Sequence, residues 1–115
     1  MGRELAVAME TWAPVIKSQR SMVVLYAMSL RAYDKPWGDR RPDIYEYGHR
    51  PLAQALGYID INRLETEPTP SQENEIRIAI KRLIDAGAVE LIRRGIQGRA
   101  SEYRLIRRPM GKAPP

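Results

Sequence analysis

Between residues 18 and 34 the chain carries neither Gly nor Pro. Met22, Val23, Tyr26, Ala27, Leu30 and Tyr33 recur there at steps of three and four, the spacing of one helical face. Ser18 or Ser21 can cap the start of this helix. A second helical pattern runs from Ser71 to Ala86, with Ile76, Ala79, Ile80, Leu83, Ile84 and Gly87 on one side. Asn74, Ile78, Lys81, Arg82 and Asp85 fall on the other side. Ser71 is the expected cap, Glu73 and Glu75 complement the dipole, and Gly87 ends the helix. The period then changes to two. Residues 89–94 and 102–107 alternate and are joined by a Gly-bounded basic segment, which predicts a hairpin. Val89, Leu91, Tyr103 and Leu105 should face inward, and Glu90, Ile92, Arg94, Arg104 and Ile106 outward.

Shorter signals fill the remainder. Residues 44–47 alternate as a short strand, whose Tyr45 and Tyr47 are expected to pack beside the hairpin. Residues 50–56 read as a short helix with Pro51 in its first turn, Gly57 as its stop and Leu52, Ala53 and Leu56 toward the core. Residues 35–43 must be loop, and 58–70 a linker with poor periodicity. This order predicts a mainly α fold with a small antiparallel sheet, an α+β class. An N-terminal arm over 1–17 precedes one domain at 18–108, and 109–115 is a tail.

At 115 residues and 43% hydrophobic content, the chain suits a single core. It has no Cys and one His, which excludes disulfides, thiolate chemistry and multi-histidine metal sites and fits a cytoplasmic setting. The longest apolar run, Met22 to Met28, is far short of the ~20 residues that span a bilayer, so no membrane is expected. His49 is assigned no chemistry. There is no Gly-rich phosphate loop, nucleophile constellation or metal-ligand spacing, so neither catalysis nor a cofactor is expected.

Charge is distributed unevenly. Residues 1–87 hold 12 basic and 12 acidic side chains, whereas 88–115 hold seven against two. The whole net charge of +5 therefore lies in the last quarter, mostly as Arg, whose planar fork suits phosphate and guanine. Arg93, Arg94, Arg99 and Arg104 bracket or occupy the hairpin tip and are the first candidates for contact with a polyanion. Arg50, at the start of the short helix, is a secondary phosphate candidate.

Helix, strand, helix, helix and hairpin is the order of a winged helix-turn-helix domain. The runs LAQALGY and EIRIAIKRLIDAGAVELIRRGIQGRASEYRL resemble winged-helix domains of bacterial and phage regulators and replication proteins. RPDIYEYGHRPLAQALGY is similar to DNA-binding proteins of actinobacterial phages, and the likeness covers residues 20–108. The resemblance implies that the helix over 71–86 enters the major groove of double-stranded DNA and that the hairpin is the wing, on backbone or minor groove. Asn74 would then pair with adenine, Arg77 or Arg82 with guanine or phosphate, and Ile78 with a thymine methyl, with Lys81 beside them. The helix start departs from the family pattern. From 59 to 75 there is one base against five acids, which would repel phosphates.

The resemblance implies a sequence-specific regulator of a phage or mobile element, bound at an operator. A replication or excision accessory factor would use the same fold. The acidic 59–75 segment supports a different expectation, a module that binds a host protein. Outward Ile92 and Ile106, the Trp12 arm and Trp37 offer apolar surface for a homodimer.

Overall fold

The long apolar helix of the first half finds its core by contact with three other helices. In the computed structural model, which describes residues 3–32, 41–59, 62, 67–96 and 100–109, α1 spans Arg3–Met9 and runs into a 3-10 turn at Glu10–Trp12. Helix α2 spans Gln19–Arg31, β1 Ile44–Tyr45, α3 Arg50–Ala55, α4 Pro70–Ala86, β2 Val89–Arg93 and β3 Glu102–Leu105. Among the described residues this is an α+β fold with four α-helices and a three-stranded antiparallel sheet in the order β1-β3-β2.

Ser18 caps α2, its hydroxyl accepting from the Ser21 amide at 3.2 Å. Ser21, Val24, Leu25, Ala27, Met28, Ser29 and Ala32 are buried, so of the expected face Ala27 is in the core and Met22 and Tyr26 pack against its edge. Val23 and Leu30 are exposed, Leu30 by 54%. Tyr33 lies outside the described residues. The helix is apolar on most sides, so periodicity alone could not say which stripe meets α1, α3 and α4. Ser21 sits at the contact with α4, where its hydroxyl donates to the Ala79 carbonyl at 3.3 Å.

Helix α4 begins two residues earlier than its serine suggested. Thr69, not Ser71, is the cap: it accepts from the Gln72 amide at 3.1 Å, while the Gln72 side chain accepts from the Thr69 amide at 2.9 Å. Pro70 fills the first turn, where no amide donor is needed. Gly87 closes the helix at φ +85°, a left-handed conformation that glycine adopts without a Cβ penalty. Ile76, Ala79, Ile80 and Leu83 are buried, whereas Ile84, expected in the core, is 37% exposed.

The first 17 residues are more than an arm. Leu5, Met9, Trp12 and Ile16 are buried in the same cluster as Val24, Leu52, Leu83 and Leu105. Trp12 is 2% exposed, and its indole N–H donates to the Ile106 carbonyl at 2.7 Å. Ile106 in turn packs against the core and Ile92 is half-buried, so apolar surface expected to meet a second copy is used within the chain. Trp37 and the segment 110–115 lie outside the described residues.

In the sheet, Tyr45 faces Tyr103 across β1 and β3, and Val89 faces Leu105 across β2 and β3. Val89 and Leu105 are buried as expected of their parity, and Tyr45 is buried beside the hairpin. Leu91 and Tyr103 share that parity but lie farther along the hairpin, and Leu91 is 38% exposed. Tyr47 stacks edge-on against Tyr45, with centroids 5.7 Å apart at 68°.

Candidate nucleic-acid interface

The exposed side of α4 has a centre and two flanks. Asn74, Ile78, Lys81 and Asp85, at steps of four, three and four, form the central file and are all exposed. Arg77 turns toward the hairpin. With Lys81, Arg94, Ile84, Leu91 and Tyr103 it lines a groove of ≈ 440 Å³ between α4 and the sheet. Arg82 turns the opposite way, into a second groove of ≈ 390 Å³ shared with Val15, Lys17, Ser18 and Ala86 at the start of α2. Ile84 and Leu91 are thus the apolar floor of the first groove, which accounts for their exposure.

Arg93, Arg94 and Arg104 of the hairpin do not share one face. A bulge between Leu91 and Arg93 breaks the alternation of β2. Arg93 consequently comes opposite Glu102, and Arg94, expected to face away from the core side, lines the groove against α4. Glu102 is only 7% exposed and receives both the Arg93 and the Arg41 guanidinium. Arg104 lies on the same sheet side as Glu102 by strand alternation and pairs with Glu90 at 3.3 Å. Arg93 and Arg104, first candidates from the sequence, therefore lie on the sheet side away from the groove, Arg93 against buried Glu102 and Arg104 in an exposed pair with Glu90. Arg99 lies outside the described residues.

Arg50 is also engaged, pairing with Glu67 at 3.2 Å. An exposed pair of this kind is worth about 0–1 kcal/mol, enough to orient the side chain without fixing it. Lys81 reaches Asp85 at 3.4 Å, one turn along α4. Among the described residues, the side chains of Lys17, Arg77, Arg82 and Arg94 have neither a hydrogen bond nor an ion pair. Lys17 was not singled out in the sequence. Its position directly before the α2 cap was the available signal, hidden by reading 1–17 as a separate arm.

The carboxylates at the start of α4 have partners within the chain. Glu73 binds His49 Nδ1 at 2.8 Å, so His49 is a tether between α3 and α4. Glu75 accepts from the Tyr58 hydroxyl at 2.5 Å and lies 3.9 Å from the Arg20 guanidinium. That hydrogen bond, aided by burial, raises the ionisation of Tyr58 above the ordinary tyrosine value. The carboxylates expected to repel phosphate thus sit on the two shoulders of the helix with partners of their own. Asp60 and Glu65 lie outside the described residues.

Among the described residues no group of His, Cys, Asp and Glu could hold a metal ion, and no helix is long and apolar enough to cross a membrane. Set against family models, characterised proteins and solved structures, the chain has no match in any of the three.

Proposed function

We propose that the chain is a sequence-specific double-stranded DNA-binding protein of winged helix-turn-helix architecture, with α4 as its recognition helix and the β2–β3 hairpin as its wing. The order α2, β1, α3, α4, β2, β3 and the pairing of β1 with β3 support this architecture. The observation that carries the function is the arrangement of cations about α4. Arg77 and Arg94 stand on one flank and Arg82 and Lys17 on the other, with Asn74 and Ile78 between them. A major groove is ~12 Å wide and bordered by phosphates on both sides, and a helix with its side chains is ~10–12 Å across. A helix entering that groove meets bases along its centre and backbone at each flank.

The reading shifts the wing's role from four arginines to Arg94, acting across the groove with Arg77 and Lys81. The partnering of Glu73 and Glu75 inside the chain favours it over a host-protein module that would need these acids available. A domain of this kind regulates by occupying an operator, which suits a phage or mobile-element regulator. Anisotropy titration at low salt with a labelled duplex and with each of its separated strands tests the reading. Tighter binding to the duplex is expected. Equal affinity for single strands, or no binding to either, would overturn it.

A further inference from the structure

The central file of α4 opens with Asn74 and Ile78, one turn apart and both exposed. We infer, building on the DNA-binding reading, that the chain recognises A·T pairs at the centre of its site, through Asn74 on adenine and Ile78 on a thymine methyl.

The case is one of side-chain availability. Guanine is read by an Arg or Lys fork, cytosine by a carboxylate, adenine by Asn or Gln, and the thymine methyl by an apolar contact. Arg77 and Arg82 diverge into the flanking grooves, Lys81 lines the hairpin groove beside Arg77, and Asp85 lies in the last turn of α4, seven residues beyond Ile78. Glu73 is held by His49 and Glu75 by Tyr58, so the carboxylates nearest the helix start already have partners. Asn74, by contrast, has no hydrogen-bond partner among the described residues and is exposed. Ile78 is 42% exposed in the middle of an otherwise polar file, where nothing in the fold requires an apolar side chain. Its branched Cβ fixes χ1 in a helix, so the methyl groups are held in place before contact. Residues four apart on a helix are ~6 Å apart along its axis, and bases in a strand are ~3.4 Å apart. Asn74 and Ile78 therefore address bases one or two steps apart.

The test begins with selection of bound sequences from a randomised duplex pool by the full chain. Each thymine of the selected site is then replaced in turn by uracil, which removes only the C5 methyl. An A·T-containing core is expected, with at least one thymine-to-uracil change weakening the wild type by roughly fourfold, the worth of one buried methyl. Ile78→Ala should bind the thymine and uracil duplexes alike. Alanine is the best helix former, so this exposed change leaves α4 folded. A G·C core, indifference to uracil at every thymine, or discrimination retained by Ile78→Ala would each overturn the inference while leaving duplex binding intact. Failure to bind any duplex at low salt would remove the DNA-binding reading itself, and this inference with it.

Discussion

Trp12 donates its indole N–H to the carbonyl of Ile106 at 2.7 Å, joining the first turn of the chain to the end of the hairpin across 94 residues. The Thr11 hydroxyl donates to the Ala8 carbonyl at 2.8 Å and lies 3.2 Å from the Arg107 carbonyl. The N-terminal segment thereby fixes the hairpin against the helices, and with it the groove between Arg94 and Arg77.

Replacing Trp12 tests that seam. Trp12→Ala should lower unfolding free energy by about 3–5 kcal/mol, as expected for a large buried side chain. Trp12→Phe should lose less, about 1–3 kcal/mol, because a buried carbonyl is left without its donor. Urea unfolding followed by circular dichroism measures both. If each variant unfolds at the wild-type midpoint, the first 17 residues do not support the hairpin.

Neighbouring arginines should behave oppositely. Arg94→Ala is expected to weaken duplex binding and reduce the slope of log affinity against log salt by about one, the effect of one lost phosphate contact. Arg93→Ala should leave that slope unchanged and instead cost about 1 kcal/mol of stability, since buried Glu102 loses one of the guanidiniums that it holds. Matched binding and thermal-unfolding measurements separate the two effects. Equal salt slopes for the two variants would contradict the division of the hairpin.

How much of this division could be read in the sequence depends on which physical rule set each residue. Helix α4, its Gly87 stop and the two strands after it follow directly from period and glycine chemistry. The α2 stripe did not, because a helix apolar on several sides is oriented by its neighbours. Thr69 is hard to pick out as the cap because Ser71 offers the same chemistry two residues away and Pro70 between them reads as linker. The split of Arg93 from Arg94 rests on a bulge, which no alternating pattern announces. Charge counting located the basic quarter but could not show that Glu102 and Glu90 occupy Arg93 and Arg104. Lys17 joins Arg82 only once α2 crosses α4.

Alkaline pH probes the core beneath β1. Tyr45 is buried, and its hydroxyl donates to the Gly48 carbonyl at 2.6 Å. Burial is the main cause that raises its ionisation well above the ordinary value of 10.0, so the folded state favours the neutral phenol. That contribution is fully present below pH 10 and is lost as pH rises from there toward the folded-state value. Thermal unfolding from pH 8 upward should show a steep loss of stability above pH 10, and Tyr45→Phe should flatten it. An equally steep loss in Tyr45→Phe would place the alkaline transition elsewhere.

The His49 tether offers a further check. His49→Ala removes the partner of Glu73 and leaves its carboxylate free beside the groove. Duplex affinity should fall a few-fold at low salt and recover in Glu73→Gln combined with His49→Ala, as measured by anisotropy. No recovery in the double variant would mean that His49 acts through packing rather than charge.

The central claim, that α4 lies between two phosphate-contacting flanks, is tested most directly by the salt dependence of duplex binding. Wild type would be compared with Arg77→Ala/Arg94→Ala and with Lys17→Ala/Arg82→Ala. Each pair should reduce the slope by roughly two, because each removes two phosphate contacts, and the fourfold variant should lose both amounts together. If the Lys17 and Arg82 pair leaves the slope unchanged, DNA touches α4 from the hairpin side alone and the two-flank arrangement is contradicted.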